Sequence, residues 1–411
     1  MSLRGGWRVG ATHEMLYWLL DISREWLVEA RLYWLVSVFD QVQFRALAAA
    51  FAAFAAVLLL GRRVIASLVR LKIGDTGQSD AQLLRQQAQS KANTPTMGGT
   101  LIAGAVFASV CLLADVRQFY VYMGLVVLVW TAIIGAADDW LKLTASRRGT
   151  GRQGLFAWEK LVFQLGIGVL VGYFGFSRGD TAAELDLAHV VNLPFQKTYD
   201  GGEVNASLYY LPLAGYMVLA TLMLTGMSNA VNITDGMDGL AAGISSAVAM
   251  GLFILCLVAG EPAWARYLLV PYVPFSSELA VLAGAMGGAC LGFLWWNCAP
   301  AQVFMGDTGS LCIGALIGYL AMIIRQEVVV LMMSGVFLVE IASVVIQVTV
   351  YRASGGTVGF YKVSGDMRVF RCSPFHHHLH LGGWNEQQIV ARLWIVSVLL
   401  VVVALATIKI R

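Results

Sequence analysis

An all-α integral membrane protein with about ten transmembrane helices is the fold class this sequence predicts, and three observations carry the prediction. Of the 411 residues, 58% are hydrophobic and only 13% are charged, roughly half the charge of a soluble domain. Apolar runs of about the 20 residues needed to cross a bilayer core recur along the whole chain, and the mean hydropathy is +0.70. Lys and Arg gather in alternate connections between those runs. A net charge of +3 is too small to suggest a nucleic-acid partner. Cys111, Cys256, Cys290 and Cys312 lie inside apolar runs and read as buried small hydrophobes, not as disulfide or zinc ligands.

Residues 1–43 come first as an N-terminal segment. Within it, 13–39 mixes Trp, Leu and Tyr with Asp, Glu and Arg, the pattern of an amphipathic helix lying in the membrane interface. Met15–Leu20 is too short for the apolar region of a cleaved signal, and charged residues follow it. A single domain over 44–411 follows, with spans expected at 44–60, 98–115, 119–137, 159–176, 208–228, 239–259, 279–296, 309–324, 328–350 and 388–408. The connections 61–97, 138–158 and 351–387 are basic, through Arg62, Arg63, Lys142, Arg147, Arg352 and Lys362 among others. By contrast, 177–207 has Arg178 and Lys197, and 260–278 has only Arg266. The odd-to-even connections are therefore expected on the cytoplasmic side.

Four polar motifs interrupt this pattern. Asp138 and Asp139 end the third expected span in Gly135-Ala-Ala-Asp-Asp-Trp-Leu-Lys142. Adjacent carboxylates repel, and a cation beside them relieves that repulsion; Mg²⁺ takes such oxygen ligands and keeps positions open for phosphate oxygens. A solvated helix end is the plainer reading of the pair. Next, Asn229, Asn232, Asp235 and Asp238 recur at every third position. On a straight helix that spacing drifts about 60° per step, so Gly236 and Gly239 suggest a helix end, a turn and a new helix start. Such a turn can converge amides and carboxylates on one ligand, whereas a generic membrane-surface turn has no need of the spacing.

The third motif, Phe304-Met-Gly306-Asp307-Thr-Gly-Ser310, opens the eighth expected span. It offers Asp307 at a helix N-terminus, where phosphate or metal binds, and Phe304 as a stacking face for a base. A plain N-cap role for Asp307 is the simpler alternative. Asn297, at the end of the preceding span, faces the same region. Last, Pro374-Phe375-His376-His377-His378 lies in the final basic connection. Three consecutive side chains cannot all point one way, so at most two histidines enter one site. Spaced zinc ligands with Cys partners are missing from the motif.

Together with Thr94-Pro-Thr-Met-Gly-Gly99 and Lys142, these motifs resemble the polyprenyl-phosphate N-acetylhexosamine-1-phosphate transferases over about 44–408. The Thr94–Gly99 run and the His triplet resemble the branch that handles N-acetylmuramoyl-pentapeptide more than the relatives that use N-acetylglucosamine. That second donor class is the nearest alternative function. A transporter would need charged residues near the bilayer midplane with broken helices there, whereas here the acidic residues cluster at one face and the span centres are mostly clean apart from Glu340 and Gln347.

The resemblance implies transfer of phospho-N-acetylmuramoyl-pentapeptide from its UDP-linked donor to undecaprenyl phosphate, with UMP leaving. The expected setting is the bacterial inner membrane, with the site facing the cytoplasm, Mg²⁺ as cofactor and a homodimeric assembly. Asp307 would be the main Mg²⁺ ligand with Asp138 and Asp139 beside it. One of that pair, Asp138 ahead of Asp139, would act as base on the polyprenyl phosphate. Lys91, Thr96, Asn229, Asn232, Asp235, Asp238, Asn297, Phe304 and Gly306 would bind the donor. Lys160 would neutralise the diphosphate, His376, His377 and His378 would lie near the diphosphate or ribose, and Gln347 matches a position on the ninth span. The chain departs from the family's pattern before Lys91, at His380 and in 353–360, which looks like an insertion, as does part of 143–157.

Overall fold

The structure is a computed structural model, and it describes residues 23, 26–70, 94–148, 154–179, 186–193, 195–200, 202–363 and 365–409. Helices dominate it. The spans are α1 (Val42–Arg70), α2 (Gly99–Leu113), α3 (Phe119–Arg148), α4 (Ala157–Gly179), α5 (Leu213–Thr234), α6 (Leu240–Ala259), α8 (Leu279–Asn297), α9 (Gly306–Ile323), α11 (Gly335–Ser354) and α13 (Glu386–Lys409). Three shorter helices join them: α7 (Pro262–Leu268), α10 (Glu327–Met333) and α12 (Phe375–His380). Among the described residues, nine helices are long and apolar enough to cross a membrane, and the 15-residue α2 is the shorter tenth.

Lipid offers little hydrophobic drive for one apolar helix to meet another, so close backbone approach at small residues does that work. Gly284, Gly288 and Gly292 form a one-turn stripe on α8. A Cβ at these positions would lie 2.4 Å from the carbonyl oxygen of Ala46, 1.9 Å from that of Ala50 and 2.8 Å from that of Phe54, all on α1. Gly314 and Gly318 bring α9 equally close to the Met227 and Met223 carbonyls of α5. Helix α9 is the hub, with 94% of its apolar window buried against 22% for α11 and 28% for α13. These last two present most of their surface to lipid.

At one end of the bundle Arg45 makes a two-pronged ion pair with Glu278, 2.8 and 2.5 Å, and donates to the Leu113 carbonyl. This joins the ends of α1, α2 and α8. All four sequence motifs meet at the opposite end.

Several expectations need correction. The third span does not stop at Asp138 and Asp139; α3 continues to Arg148, so the pair sits within a helix. Helix α1 is 29 residues long, well beyond 44–60. The expected span 328–350 is two helices, broken at Ser334–Gly335, a pair of the kind that interrupts long helices. The expected span 208–228 starts only at Leu213, and the longer connection before it holds two small antiparallel pairings that hydropathy does not register, β1 (Val190–Val191) with β4 (Tyr209–Tyr210) and β2 (Tyr199–Asp200) with β3 (Glu203–Val204). Residues 13–22, 24 and 25 of the expected interfacial helix lie outside the described residues. The described part of that segment is a helical turn at 26–29 followed by 3₁₀ turns at Tyr33–Leu35 and Ser37–Asp40, with Trp26 and Trp34 exposed.

Candidate active site

Asp138 on α3 and Asp307 on α9 face each other through two lysines. Lys142, one turn after Asp138, places Nζ 2.6 Å from Asp138 Oδ2 and 3.1 Å from Asp307 Oδ1. Lys160, from the first turn of α4, lies 2.9 Å from Asp138 Oδ2 and 2.6 Å from Asp307 Oδ2. Asp138 is wholly buried, and its other oxygen accepts the Leu155 N–H at 2.7 Å. The sequence motifs give Lys142 no role of its own, although its i+4 spacing from Asp138 is a signal for one.

Asp139 has a different occupation. Its Oδ1 accepts the Asp307 N–H at 3.0 Å, and its Oδ2 accepts the Thr308 N–H at 3.0 Å and the Thr308 hydroxyl at 2.7 Å. A helix N-terminus leaves donors without partners, and a carboxylate from another helix satisfies them here. The plain capping role that the sequence allows for Asp307 therefore belongs to Asp139. Asp307 itself is left to the lysines.

Close approach to that helix start is built into the sequence. A Cβ on Gly135, one turn before Asp139, would meet the Asp307 carbonyl oxygen at 2.3 Å, and one on Gly99 would meet the Gly309 nitrogen at 2.0 Å. Gly306 has φ +72, a left-handed value that glycine adopts freely, and a Cβ there would lie 2.7 Å from Asp139 Oδ2 and 2.9 Å from Thr96 Oγ1. The Thr94–Gly99 run docks along the same loop: Phe304 N–H donates to the Pro95 carbonyl, and Gly98 and Gly99 donate to those of Phe304 and Met305. The half-buried Phe304 is thus fixed by its backbone on both sides.

Helix α5 runs on to Thr234, so Asn229 and Asn232 are helical, and the turn spans 235–239 with Gly239 at φ +80. Asn232 Nδ2 donates to Ser310 Oγ at 2.9 Å, and Asp235 accepts the Gly306 N–H. Both contacts put the turn beside Asp307, a placement that in the sequence rests on span counting alone. Burial and then the neighbouring Asp307 and Asp139 carboxylates push the Asp235 carboxyl up to about 7.

Asn229 lies deeper and donates to Gln164 Oε1 at 2.8 Å, one turn beyond Lys160 on α4. Asp238 and Asn297 tie the loops together: Asp238 accepts from the Ala301 N–H, and Asn297 bridges the Gly239 N–H and the Val303 carbonyl. Lys91 lies outside the described residues.

The histidines diverge. His376 is buried, and its N–H and Nδ1 lie 3.2 and 3.0 Å from Glu340 Oε2 on α11. Its Nε2 is buried against Gly236, where a Cβ would come within 2.5 Å. His378 faces the other way, accepting the Arg371 N–H and packing on Phe375, Phe370 and Tyr361. Burial, and then His376 and His380, hold His377 down at about 3, so its ring is neutral at pH 7. Gln347 accepts the Phe370 N–H at 2.9 Å and tethers this segment to α11. Glu340 orients His376, a role the motifs do not announce; its position seven residues before Gln347 is the one signal for it in the sequence. Truncating it by Glu340→Ala should lower turnover about 10- to 100-fold at unchanged donor affinity. Wild-type turnover in that variant would show that His376 does not depend on it.

Among the described residues of this cluster, the acids Asp138, Asp139, Asp235 and Asp307 outnumber the bases Lys142 and Lys160, although the raised carboxyl of Asp235 carries only part of a charge at pH 7. Asp138, Asp139 and Asp307 each offer an oxygen within 4.8 Å of the others, and hard carboxylate oxygens suit Mg²⁺. Because Asp139 is committed to α9, Asp138 and Asp307 are the two best placed to ligate.

The model of glycosyl transferase family 4 matches residues 121–325, the stretch that supplies Asp138, Lys160, the 235–239 turn, Phe304 and Asp307. Signature 1 of phospho-N-acetylmuramoyl-pentapeptide-transferase matches residues 91–102, which include the Thr94–Gly99 run that docks on the start of α9. Fold and site thus define a polytopic membrane transferase that moves a phospho-sugar onto a polyprenyl phosphate. Within that class, the chain belongs to the phospho-N-acetylmuramoyl-pentapeptide transferase family.

Proposed function

We propose that the protein transfers phospho-N-acetylmuramoyl-pentapeptide from UDP-N-acetylmuramoyl-pentapeptide to undecaprenyl phosphate, giving a lipid-linked diphosphosugar and UMP. The reading places it in the bacterial inner membrane, as a homodimer with the site open to the cytoplasm. The observation that supports it best is the four-membered ring of Asp138, Lys142, Asp307 and Lys160, set where the donor-binding turn meets the start of α9.

Phosphoryl transfer asks a protein mainly for positioning and for neutralisation of charge. Lys160 and Lys142 meet the diphosphate of the donor, and Asp138 accepts the proton of the lipid phosphate as its oxygen attacks the β-phosphorus. Asp139 holds the α9 N-terminus so that Asp307 stays in register with Asp138. Mg²⁺, held by Asp307 and Asp138, would offset the charge of the diphosphate and of the leaving UMP. His376, oriented by Glu340, reaches the same turn from the lipid-facing side. The basic connections next to the site support the cytoplasmic assignment, as does the fact that nucleotide sugars are made there.

Phe304 tests the donor half of this reading. Base stacking is worth roughly 1–3 kcal/mol, so Phe304→Ala should weaken nucleotide-donor affinity about 5- to 150-fold and leave the lipid's apparent affinity alone. Unchanged donor affinity would remove Phe304 from the pocket. Donor class is tested by offering equal UDP-N-acetylmuramoyl-pentapeptide and UDP-N-acetylglucosamine to the purified protein with undecaprenyl phosphate. The mass of the lipid product should carry the muramoyl-pentapeptide. A product bearing N-acetylglucosamine alone would assign the other donor.

A further inference from the structure

Residues 355–360 lead from the lipid-facing α11 into a two-stranded ribbon, β5 (Tyr361–Val363) with β6 (Asp366–Arg368). The two faces of this ribbon differ. Successive strand residues point to opposite sides, and Tyr361 points at the His segment, with its ring 5.3 Å from His378 and the Arg371 guanidinium 5.2 Å above it. Its cross-strand partner Arg368 shares that inner face.

Phe360 donates its N–H to the Arg368 carbonyl and so extends the strand, which puts it on the outer face with Lys362 and Met367. Phe360 is 82% exposed, Val358 is 57% exposed, and Lys362 and Arg352 are exposed as well. Over 351–371 the chain has Arg352, Lys362, Arg368 and Arg371 against the single acid Asp366. That acid accepts a hydrogen bond from the Tyr351 hydroxyl at 2.9 Å, which ties the ribbon to the end of α11.

An exposed aromatic beside cations, six residues past the end of a span, has the chemistry of a membrane-interface anchor. We propose that the outer face of this ribbon, through Phe360, Val358, Lys362 and Arg352, docks on the anionic phospholipid surface at the site's end of the bundle. The docking holds the His segment, which packs on the other face, in place. It goes beyond the transferase reading and does not require it. Lipid is favoured over a second copy of the chain because the ribbon hangs from a helix that itself faces lipid and because its exposed charges are positive.

The test is a nitroxide at Phe360→Cys in full-length protein carrying serine at Cys111, Cys298 and Cys372, reconstituted in nanodiscs of phosphatidylcholine with phosphatidylglycerol. Collisions with oxygen should outnumber those with a water-soluble nickel chelate at position 360 and not at a control label on Gln387→Cys, an exposed position in the first turn of α13. Adding Arg352→Glu and Lys362→Glu should cut that oxygen preference at least about threefold. Equal chelate access at 360 and 387 would overturn the proposal. Dipolar broadening between labels on two copies would also overturn it, since the face would then be a protein interface. These readouts are independent of turnover, so they stand whether or not the donor assignment holds.

Discussion

Replacing Asp307 by asparagine should reduce turnover by at least about 10²–10³-fold, the usual cost of losing one group that stabilises developing charge in a buried site. Asp307 pairs with Lys142 at 3.1 Å and with Lys160 at 2.6 Å. An amide cannot neutralise either ammonium or hold a cation between them. Both lysines would then keep Asp138, the group proposed to take the proton, as their shared carboxylate partner. The variant should still insert and fold, because the backbone at 307 is held by Asp139 and not by its own side chain. Activity is the readout across a Mg²⁺ titration, with thermal stability as the control. Near-native rates at limiting Mg²⁺ would remove Asp307 from the metal site.

Truncating Asp139 should also abolish activity, through a different cause. Asp139→Ala leaves the Asp307 and Thr308 N–H groups and the Thr308 hydroxyl without their acceptor in a buried place. Unsatisfied buried donors cost about 1–3 kcal/mol each, and loss of a cap costs about 1 more. The expected destabilisation is therefore on the order of 3 kcal/mol or greater, enough to shift the start of α9 and carry Asp307 away from Asp138. Asp139→Asn keeps one acceptor oxygen and should fall between. The two causes separate in the residual activity of the asparagine variants: Asp138→Asn should move the Mg²⁺ midpoint, and Asp139→Asn should leave it in place. A shifted midpoint in Asp139→Asn with unchanged stability would make Asp139 a ligand and not a cap.

Much of this site is legible in the amino-acid sequence. Glycines around Asp307 and carboxylates in pairs at span ends point to the chemistry, because acids near a bilayer need a reason to be there. Three consecutive histidines cannot share one direction, and His376 and His378 do point apart. The division of labour is what the sequence hides. Asp138 and Asp139 are adjacent, but successive residues on a helix point about 100° apart, so one faces the lysines and the other faces the start of α9. No local pattern says which. Lys142 is in view as an i+4 partner, yet its second contact depends on a residue 165 positions away. Asp238 and Asn297 look like ligand contacts in the sequence, and the structure uses their polar atoms at least partly to hold loops. Hydropathy does not register the break at Ser334–Gly335, and the Ser-Gly pair is its one local sign.

The most direct measurement of the central claim is a transfer assay on the purified chain in nanodiscs with UDP-N-acetylmuramoyl-pentapeptide, undecaprenyl phosphate and Mg²⁺. UMP and the lipid-linked diphosphosugar are quantified together. They should appear in equal amounts, stop when the acceptor lipid or the divalent cation is withheld, and fall by at least about 10²-fold in Asp138→Asn and Asp307→Asn. Unabated lipid product from either variant, or product formed at full rate in the presence of a chelator, would contradict a centre built on those two carboxylates.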